Sequence, residues 1–280
     1  MSSARPSAET YRLDLGFARL EALSFAAAVG GAPTLVFLHD GLGSVSTWRN
    51  FPARLAAATG CAALIYSRQG YGRSDPCLLP RPLDYMEQAA SVELPAVLTA
   101  AGVQQYLLIG HSDGASIALI HAASDPGEGL LGVVSEAAHL FPEGETLDAI
   151  RSARDRYRAG ELTTGLDRHH GTNAACAFEG WAQAWLDPRF VQWSIESILP
   201  RIQVPLLAMQ GCDDPYGTPA QLVALRRRCN IPVECVLLAE CRHTPHREQA
   251  ERALHLMTRF VRRCHAAALA AGPTGCRTTT

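Results

Sequence analysis

Short, continuous runs of hydrophobic residues recur along the chain. The first clear run, TLVFLHDG, ends in a turn. The runs cover residues 34–41, 62–72, 106–110, 130–137, 205–211 and 233–240. Apolar runs of this length, without polar alternation, are typical of strands that are buried on both faces. We therefore predict a largely parallel sheet.

Two other kinds of segment surround these runs. Residues 11–25 partly alternate between hydrophobic and polar positions around a glycine, which predicts a hairpin of edge strands. Helical patterns lie between the later runs or follow them, including residues 84–102, 218–230 and 247–268. Strand and helix thus alternate, which predicts right-handed crossovers and an α/β fold with a doubly wound, mostly parallel sheet.

The helical pattern at residues 84–102 has its own start and break signals. Asp84 and Glu87 have the spacing of a capping box, and Gly102 marks the end. Pro95 lies inside the pattern and lacks a backbone N–H, so we expect a kink or a break there.

One long stretch interrupts the alternation. Residues 140–202 contain helical patterns and no clear strand. We expect a helical cap over residues 140–202, inserted into a core formed by residues 1–139 and 203–269. The last residues, 270–280, are small or polar, which predicts a disordered tail.

Composition narrows the class of protein. The chain has 280 residues, of which 48% are hydrophobic and 19% charged, so it can bury a sizeable core. The net charge of -2 and the pI near 6.5 give no electrostatic reason to expect nucleic acid as a partner. All 25 basic residues are arginines, which excludes lysine nucleophiles and Schiff bases.

The N-terminus and the cysteines bear on location. The first 15 residues lack the apolar segment of a secretory signal, and no run approaches the ~18 residues of a membrane helix. The nine cysteines form no Cys-x-x-Cys pair, which favours free thiols in a reducing compartment over a disulfide framework. We expect a cytoplasmic protein that binds a small-molecule substrate. We expect it to bind neither membrane nor nucleic acid, and a homo-oligomer stays possible.

The sharpest motif is GHSDG at residues 110–114, where a strand pattern changes abruptly to a helical one. A serine hydroxyl is a weak nucleophile unless a base takes its proton. A strained turn between strand and helix exposes such a serine, and small neighbours permit that turn. The N-terminus of the helix also favours developing negative charge. Ser112 is therefore a candidate nucleophile, with an ordinary turn as the alternative.

The loop after the last strand run offers a base. His243 follows the strand at once, and His246 lies closer to the next helix. An imidazole with a pKa near 6.5 can accept a proton at pH 7 and return it. We predict His243 as the base and keep His246 as the alternative.

An acid and two backbone donors would complete such a site. A carboxylate fixes the tautomer of the imidazole. We predict Asp214 for this role, with Asp213 and Glu136 as alternatives. One oxyanion donor is expected at the amide of Asp113, the residue after the serine.

The second oxyanion donor is expected in the loop after the first run, at Gly41 or Leu42. There Gly41 and Gly43 let the backbone approach a ligand closely. A dinucleotide-binding loop is disfavoured because the third glycine of that motif is missing.

Aromatic residues of the expected cap are candidates for substrate binding. We name Phe178, Trp181 and Trp185, together with His139. Packing of cap helices on the core explains the aromatic residues equally well.

No metal or cofactor is expected. The adjacent His169 and His170 suggest a metal site, but no further ligands lie at a useful spacing.

Taken in order, the motifs HDGLG, SRQGYGRSD, GHSDG, GCDDPYG and CRHTPH make the chain resemble the α/β-hydrolase superfamily over residues 34–266. It is most similar to the lid-bearing members, which include carboxylesterases, enol-lactone hydrolases and hydrolases of aromatic ring-cleavage products. The resemblance implies that Ser112 attacks, His243 shuttles the proton and Asp214 orients His243. It implies a cofactor-free serine hydrolase that cleaves a small or medium ester, lactone or thioester.

Two alternatives remain at this point. The same triad would serve a C–C bond hydrolase that acts on a ring-cleavage product. A non-catalytic ligand-binding protein could also have this fold. A serine nucleophile argues against haloalkane dehalogenase and epoxide hydrolase chemistry.

The chain departs from the family pattern in three places. Asp40 and Gln69 stand where many relatives carry glycine. Asp113 puts a carboxylate beside an oxyanion donor, where a negative charge opposes the reaction. We expect its side chain to turn away or to meet an arginine, Arg68 or Arg73.

Overall fold

An eight-stranded sheet organises the fold, in a computed structural model that describes residues 8–124 and 126–271. The strands are β1 (Ala8–Asp14), β2 (Arg19–Phe25), β3 (Thr34–Leu38), β4 (Ala62–Tyr66), β5 (Tyr106–His111), β6 (Leu130–Glu136), β7 (Leu206–Gly211) and β8 (Val233–Leu238). Their order in the sheet is β1-β2-β4-β3-β5-β6-β7-β8. The β1–β2 and β2–β4 pairs are antiparallel, and all other pairs are parallel. The predicted edge hairpin and mostly parallel sheet are confirmed.

The α-helices connect the strands. They are α1 (Phe51–Thr59), α2 (Tyr85–Gln88), α3 (Leu94–Ala100), α4 (Asp113–Ala122), α5 (Gly144–Arg158), α6 (Thr163–His170), α7 (Ala174–Leu186), α8 (Ala220–Arg228), α9 (Pro245–Glu248) and α10 (Ala250–Ala271). None of the helices in the described ranges combines the length and the hydropathy that crossing a membrane requires.

The helix changes type near Pro95 instead of breaking. A five-residue π-helix, Ala89–Glu93, joins α2 to α3 without a gap, and Pro95 is the second residue of α3. The expected capping box is wrong, because the Asp84 side chain accepts a hydrogen bond from Gln88 Nε2 at 3.0 Å instead of capping the backbone. The Glu87 side chain does not complete the capping box either, because it accepts a hydrogen bond from Trp193 Nε1.

The strands are hydrophobic throughout because both faces of the sheet are covered. In β3, Val36 and Leu38 point into one core cluster, whereas Leu35 and Phe37 point into the other. All four side chains are buried. Helices α1 and α10 pack on the second face and contact each other. Burial on both faces explains the absence of polar alternation in the sequence.

A helical segment, residues 140–202, connects β6 to β7. It contains α5, α6 and α7, which pack on one another, and the structure describes no strand there. The expected disordered tail, residues 270–280, lies outside the described residues except for the first two, which are the last residues of α10. The helical segment lies next to the carboxyl ends of the central strands, where the candidate site is located.

Candidate active site

Ser112 occupies a strained turn between β5 and α4. Its φ of 53° lies in the left-handed region, which is costly for a residue with a side chain. Its backbone N–H donates to the carbonyl oxygen of Glu136 at 2.8 Å and so fixes the turn on β6. A Cβ on Gly114 would collide with the carbonyl oxygen of Leu38, and one on Gly110 would collide with the backbone of Gly114. The two glycines therefore allow α4 to approach the sheet closely.

His243 and Asp214 meet at the ends of β8 and β7. Nδ1 of His243 lies 2.8 Å from both carboxylate oxygens of Asp214. Gln210 Nε2 and the backbone N–H of Tyr216 also donate to this carboxylate, at 2.5 and 2.8 Å. Burial raises the pKa of Asp214, but the hydrogen bond and charge of His243, together with the Tyr216 amide, outweigh burial and lower the pKa. Because only carboxylate oxygens face Nδ1, the neutral imidazole carries its proton on that atom, and this tautomer has its lone pair on Nε2.

One narrow cavity joins Ser112 to His243. Its volume is about 90 Å³, small beside the ~300–1,000 Å³ of pockets for drug-sized ligands. The lining residues are Asp40, Gly41, Leu42, Ser112, Asp113, His139, Thr146, Ile150, Trp181, Trp185, Tyr216 and His243. Among the described residues, the Ser112 hydroxyl makes no hydrogen bond to His243. Catalytic hydrogen bonds commonly tighten only when substrate binds.

The alternative base and acids lie elsewhere. His246 Nδ1 is hydrogen-bonded to Glu136 Oε2 at 2.7 Å, both side chains are buried, and the His246 ring packs on Trp48. Asp213 is exposed, and its backbone N–H donates to the carbonyl oxygen of Cys241. None of these three candidates lines the cavity.

The backbone beside Ser112 offers two free donors. Within the described chain, the amides of Gly41 and Asp113 make no hydrogen bond. The amide of Leu42 instead points to Asp40 Oδ2 at 3.4 Å. Of the two residues considered for the second oxyanion donor, Gly41 is therefore the one whose amide is available.

The Asp113 carboxylate is held by a tyrosine. Tyr85 Oη donates to Asp113 Oδ2 at 2.5 Å and accepts a hydrogen bond from Trp185 Nε1 at 3.0 Å. Burial raises the pKa of Asp113, and the charge of Arg68 opposes only part of that rise. Of the two arginines expected to meet this carboxylate, Arg68 acts on it through its charge alone, because Arg68 and Arg73 both direct their donors to backbone carbonyl groups.

A charged pair of the buried His111 and the half-buried Asp40 supports the His243 loop. His111 donates from Nε2 to the carbonyl oxygen of His243 at 2.7 Å, and its Nδ1 lies 3.7 Å from Asp40 Oδ1. Burial lowers the pKa of His111, but Asp40, the charge of Glu136 and the carbonyl group of His243 together outweigh burial and raise the pKa to about 9. Burial raises the pKa of Asp40, but His111 holds it well below its usual range. At neutral pH the two side chains are therefore an ion pair.

Three of the four expected substrate-binding residues line the cavity. They are Trp181, Trp185 and His139. Burial lowers the pKa of His139 to about 3, so this imidazole is neutral at pH 7. The fourth, Phe178, does not line it, because its ring is fully buried and stacks on Tyr157 with centroids 4.0 Å apart.

Some lining residues carried no sequence signal. Thr146 and Ile150 come from α5 and look like any residues of an amphipathic helix. Tyr216 stands in the quoted GCDDPYG motif, and its ring centroid lies 4.8 Å from that of His243. For Tyr216 a sequence signal did exist, because a tyrosine two residues after the predicted acid, Asp214, lies close to the predicted site.

The adjacent histidines of α6 hold the helical segment on the core. His169 Nδ1 shares a hydrogen bond with Ser46 Oγ at 2.7 Å. His170 accepts from the backbone N–H of Gly72 and donates to the carbonyl oxygen of Leu42, both at 3.0 Å. In the described ranges, no group of three potential ligands is arranged to hold a metal ion.

Known proteins resemble this chain in sequence and in fold. Over 250 residues it is 32% identical to a 2-succinyl-6-hydroxy-2,4-cyclohexadiene-1-carboxylate synthase of Yersinia pseudotuberculosis, covering 77% of this chain and 82% of that protein. A 2-hydroxy-6-oxo-6-phenylhexa-2,4-dienoate hydrolase from a Rhodococcus species superposes with a TM-score of 0.74 at 16% identity, over 94% of this chain and 100% of that chain. A proline iminopeptidase of Mycobacterium smegmatis gives a TM-score of 0.72 at 20% identity, over 92% of this chain and 99% of that chain.

A family model, described as the alpha/beta hydrolase family, matches residues 35–255. The match includes every strand from β4 to β8 and almost all of β3, together with the loops that carry Ser112, Asp214 and His243. The chain therefore belongs to the alpha/beta hydrolase family of enzymes.

Proposed function

We propose that this enzyme is a cofactor-free serine hydrolase that acts by acyl transfer through Ser112, His243 and Asp214. The observation that carries the proposal is the hydrogen-bonded His243–Asp214 pair beside the strained Ser112, with both imidazole and serine lining one cavity. A serine in this environment has a base at hand and two free amides, at Gly41 and Asp113, for the developing oxyanion.

The proposed reaction has two halves. Nε2 of His243 takes the proton of Ser112, and Oγ attacks the carbonyl carbon of the substrate. Gly41 and Asp113 donate to the resulting oxyanion. His243 then gives the proton to the leaving group, and the acyl group stays on the serine. Water, deprotonated by His243, attacks the acyl-enzyme and releases the acid.

The lining of the cavity narrows the substrate class. None of the described lining residues is an arginine, and two, Asp40 and Asp113, are carboxylic acids. The Yersinia relative is named for a carboxylate product. Because the lining would offer a substrate carboxylate no arginine and two acidic side chains, we propose a neutral ester, lactone or thioester here. Trp181 and Trp185 supply an apolar wall for its acyl portion.

Ester hydrolysis tests this proposal. We expect the wild type to hydrolyse p-nitrophenyl acetate and butyrate, and Ser112→Ala to lose nearly all of that activity. Ser91→Ala is the matched control, because Ser91 is exposed and bonds only within its own helix. Equal rates in the wild type and Ser112→Ala would remove the serine from the mechanism.

The same preparation separates the two alternatives. A C–C bond hydrolase would turn over a ring-cleavage diketone, with early release of a ketonised product, in preference to the esters. A non-catalytic binding protein would turn over neither substrate while still binding one of them.

We also propose a cytoplasmic location. All eight cysteines in the described ranges are free thiols, which suits a reducing compartment.

A further inference from the structure

Two thiols meet where the helical segment 140–202 contacts the core. Cys77 lies in the loop between β4 and α2, and Cys176 lies in the first turn of α7. Their sulfur atoms are 3.1 Å apart, although 99 residues separate them in the chain. A disulfide bond is about 2.05 Å long, so an approach of about 1 Å would join them.

Beside this thiol pair lies an arginine, Arg81, whose guanidinium stacks over the Tyr71 ring at 4.3 Å. A Cβ on Gly70 would lie 2.6 Å from Cys77 Sγ, 2.7 Å from Arg81 Nη2 and 3.0 Å from Cys176 Sγ, so all three groups converge on one glycine. Nε and Nη2 of Arg81 are buried and lack hydrogen-bond partners. Among the described residues Arg81 makes no ion pair. A thiolate would supply both the missing acceptor and the missing charge.

The pair is also chemically asymmetric. The hydrogen bond that Cys176 shares with Cys77 lowers the pKa of Cys176 to about 6, and the charge of Arg81 lowers it further. The same hydrogen bond raises the pKa of Cys77. In contrast, burial raises the pKa of several other thiols. These are Cys61, Cys229, Cys235, Cys241 and Cys264.

A small oxidant can reach the pair. Cys77 lines a second cavity, of about 440 Å³, that is separate from the cavity at Ser112. Leu78, the next residue, is 90% exposed at its rim. Peroxide therefore has a route to Cys77 that does not cross the candidate active site, and the adjoining Cys176 is itself only half-buried.

We propose that Cys77 and Cys176 form a redox-sensitive dithiol, which hydrogen peroxide oxidises to a disulfide that fastens α7 to the core. The Cys176 thiolate attacks one peroxide oxygen, the O–O bond breaks, and hydroxide leaves and becomes water. The sulfur of Cys77 then attacks the resulting sulfenic acid, the S–O bond breaks, and a second water leaves with the proton of Cys77. Two thiols and one peroxide thus give one disulfide and two waters.

The consequence for the enzyme follows from what α7 carries. Trp181 and Trp185 on this helix form part of the wall of the small cavity at Ser112. A substrate larger than this cavity requires α7 to move, and a disulfide at Cys176 would restrain that movement. This effect on turnover rests on the proposed hydrolase function, whereas formation of the bond does not.

Peptide mapping of the full-length protein tests the bond itself. The wild type is treated with hydrogen peroxide, its free thiols are alkylated, and the peptides are identified by mass. We expect one disulfide, between Cys77 and Cys176, and its loss in Cys77→Ser and Cys176→Ser. Cys229→Ser is the matched control, because Cys229 is a half-buried free thiol at the end of α8. We expect this variant to form the Cys77–Cys176 disulfide like the wild type. Closing a loop of 99 residues also predicts a rise in Tm on the order of 10 °C.

Alkylation of both cysteines after peroxide treatment would overturn the proposal, as would oxidation of Cys176 without formation of a disulfide.

The restraint of α7 by the disulfide is tested by a separate measurement. We expect oxidation to lower hydrolysis of p-nitrophenyl octanoate several-fold more than that of the acetate, with recovery in dithiothreitol. A disulfide that leaves this ratio unchanged would refute the restraint on α7. Absence of ester hydrolysis in the reduced protein would instead refute the proposed function alone.

Discussion

Replacing Asp214 by asparagine tests the proposed triad at its most constrained point. The Asp214 carboxylate accepts hydrogen bonds from His243 Nδ1, Gln210 Nε2 and the backbone N–H of Tyr216. An asparagine NH₂ would face a donor whichever oxygen it replaced. The imidazole would then change tautomer and present N–H, instead of a lone pair, to Ser112.

The size of the effect follows from that change. In the worked serine-protease case, the equivalent substitution lowers kcat about 10⁴-fold. At 1.36 kcal/mol per factor of ten, this corresponds to about 5 kcal/mol of transition-state stabilisation. We expect a loss of that order in kcat for p-nitrophenyl acetate, with KM changed much less.

Asp213→Asn is the matched control, because the neighbouring carboxylate is exposed and outside the cavity. We expect its kcat to stay within about twofold of the wild type, as for most surface changes. Equal losses in the two variants, or a larger loss in Asp213→Asn, would refute the assignment of the acid.

Three further predictions concern other parts of the site. Gly41→Ala should lower kcat/KM for esters at least tenfold, because its Cβ would collide with the Trp181 indole, whereas Gly144→Ala, with open space around it, should not. Trp181→Ala should raise turnover of long-chain esters relative to acetate; an unchanged ratio would count against the indole as a limit on acyl size. His111 has its pKa raised to about 9, so it stabilises the fold fully below about pH 6.5 and loses that contribution as the pH rises through about 9. Urea unfolding should show a decrease of at most about 3 kcal/mol over this range, absent in His111→Asn, and an equal slope in both would contradict the ion pair with Asp40.

The elements could be predicted from the sequence because the sheet is buried on both faces. Each hydrophobic run became a strand, and Pro95, which lacks a backbone donor, marked the region where the helix changes type. The capping box at Asp84 failed because its side chains found nearer partners, Gln88 and Trp193, and the latter comes from a segment far along the chain. Spacing alone carries no information about such long-range competition.

The site residues that could be predicted were those whose place follows from the loop in which they lie. Parallel strands bring their carboxyl ends to one edge, so Ser112 and His243 were expected to converge there. The contact between Tyr85 and Asp113 was not predictable, because it joins α2 to α4 by side-chain packing. The position of Phe178 was missed for the same reason, since an aromatic residue on a helix can face either the cavity or its neighbours.

Labelling with a fluorophosphonate tests most directly whether Ser112 is the activated nucleophile. The measurement is the intact mass of the labelled protein, followed by peptide mapping of the adduct. We predict a single adduct, located on Ser112, which is absent in Ser112→Ala and forms far more slowly in Asp214→Asn. An adduct on another residue, or ester hydrolysis that continues without any adduct on Ser112, would contradict the proposed mechanism.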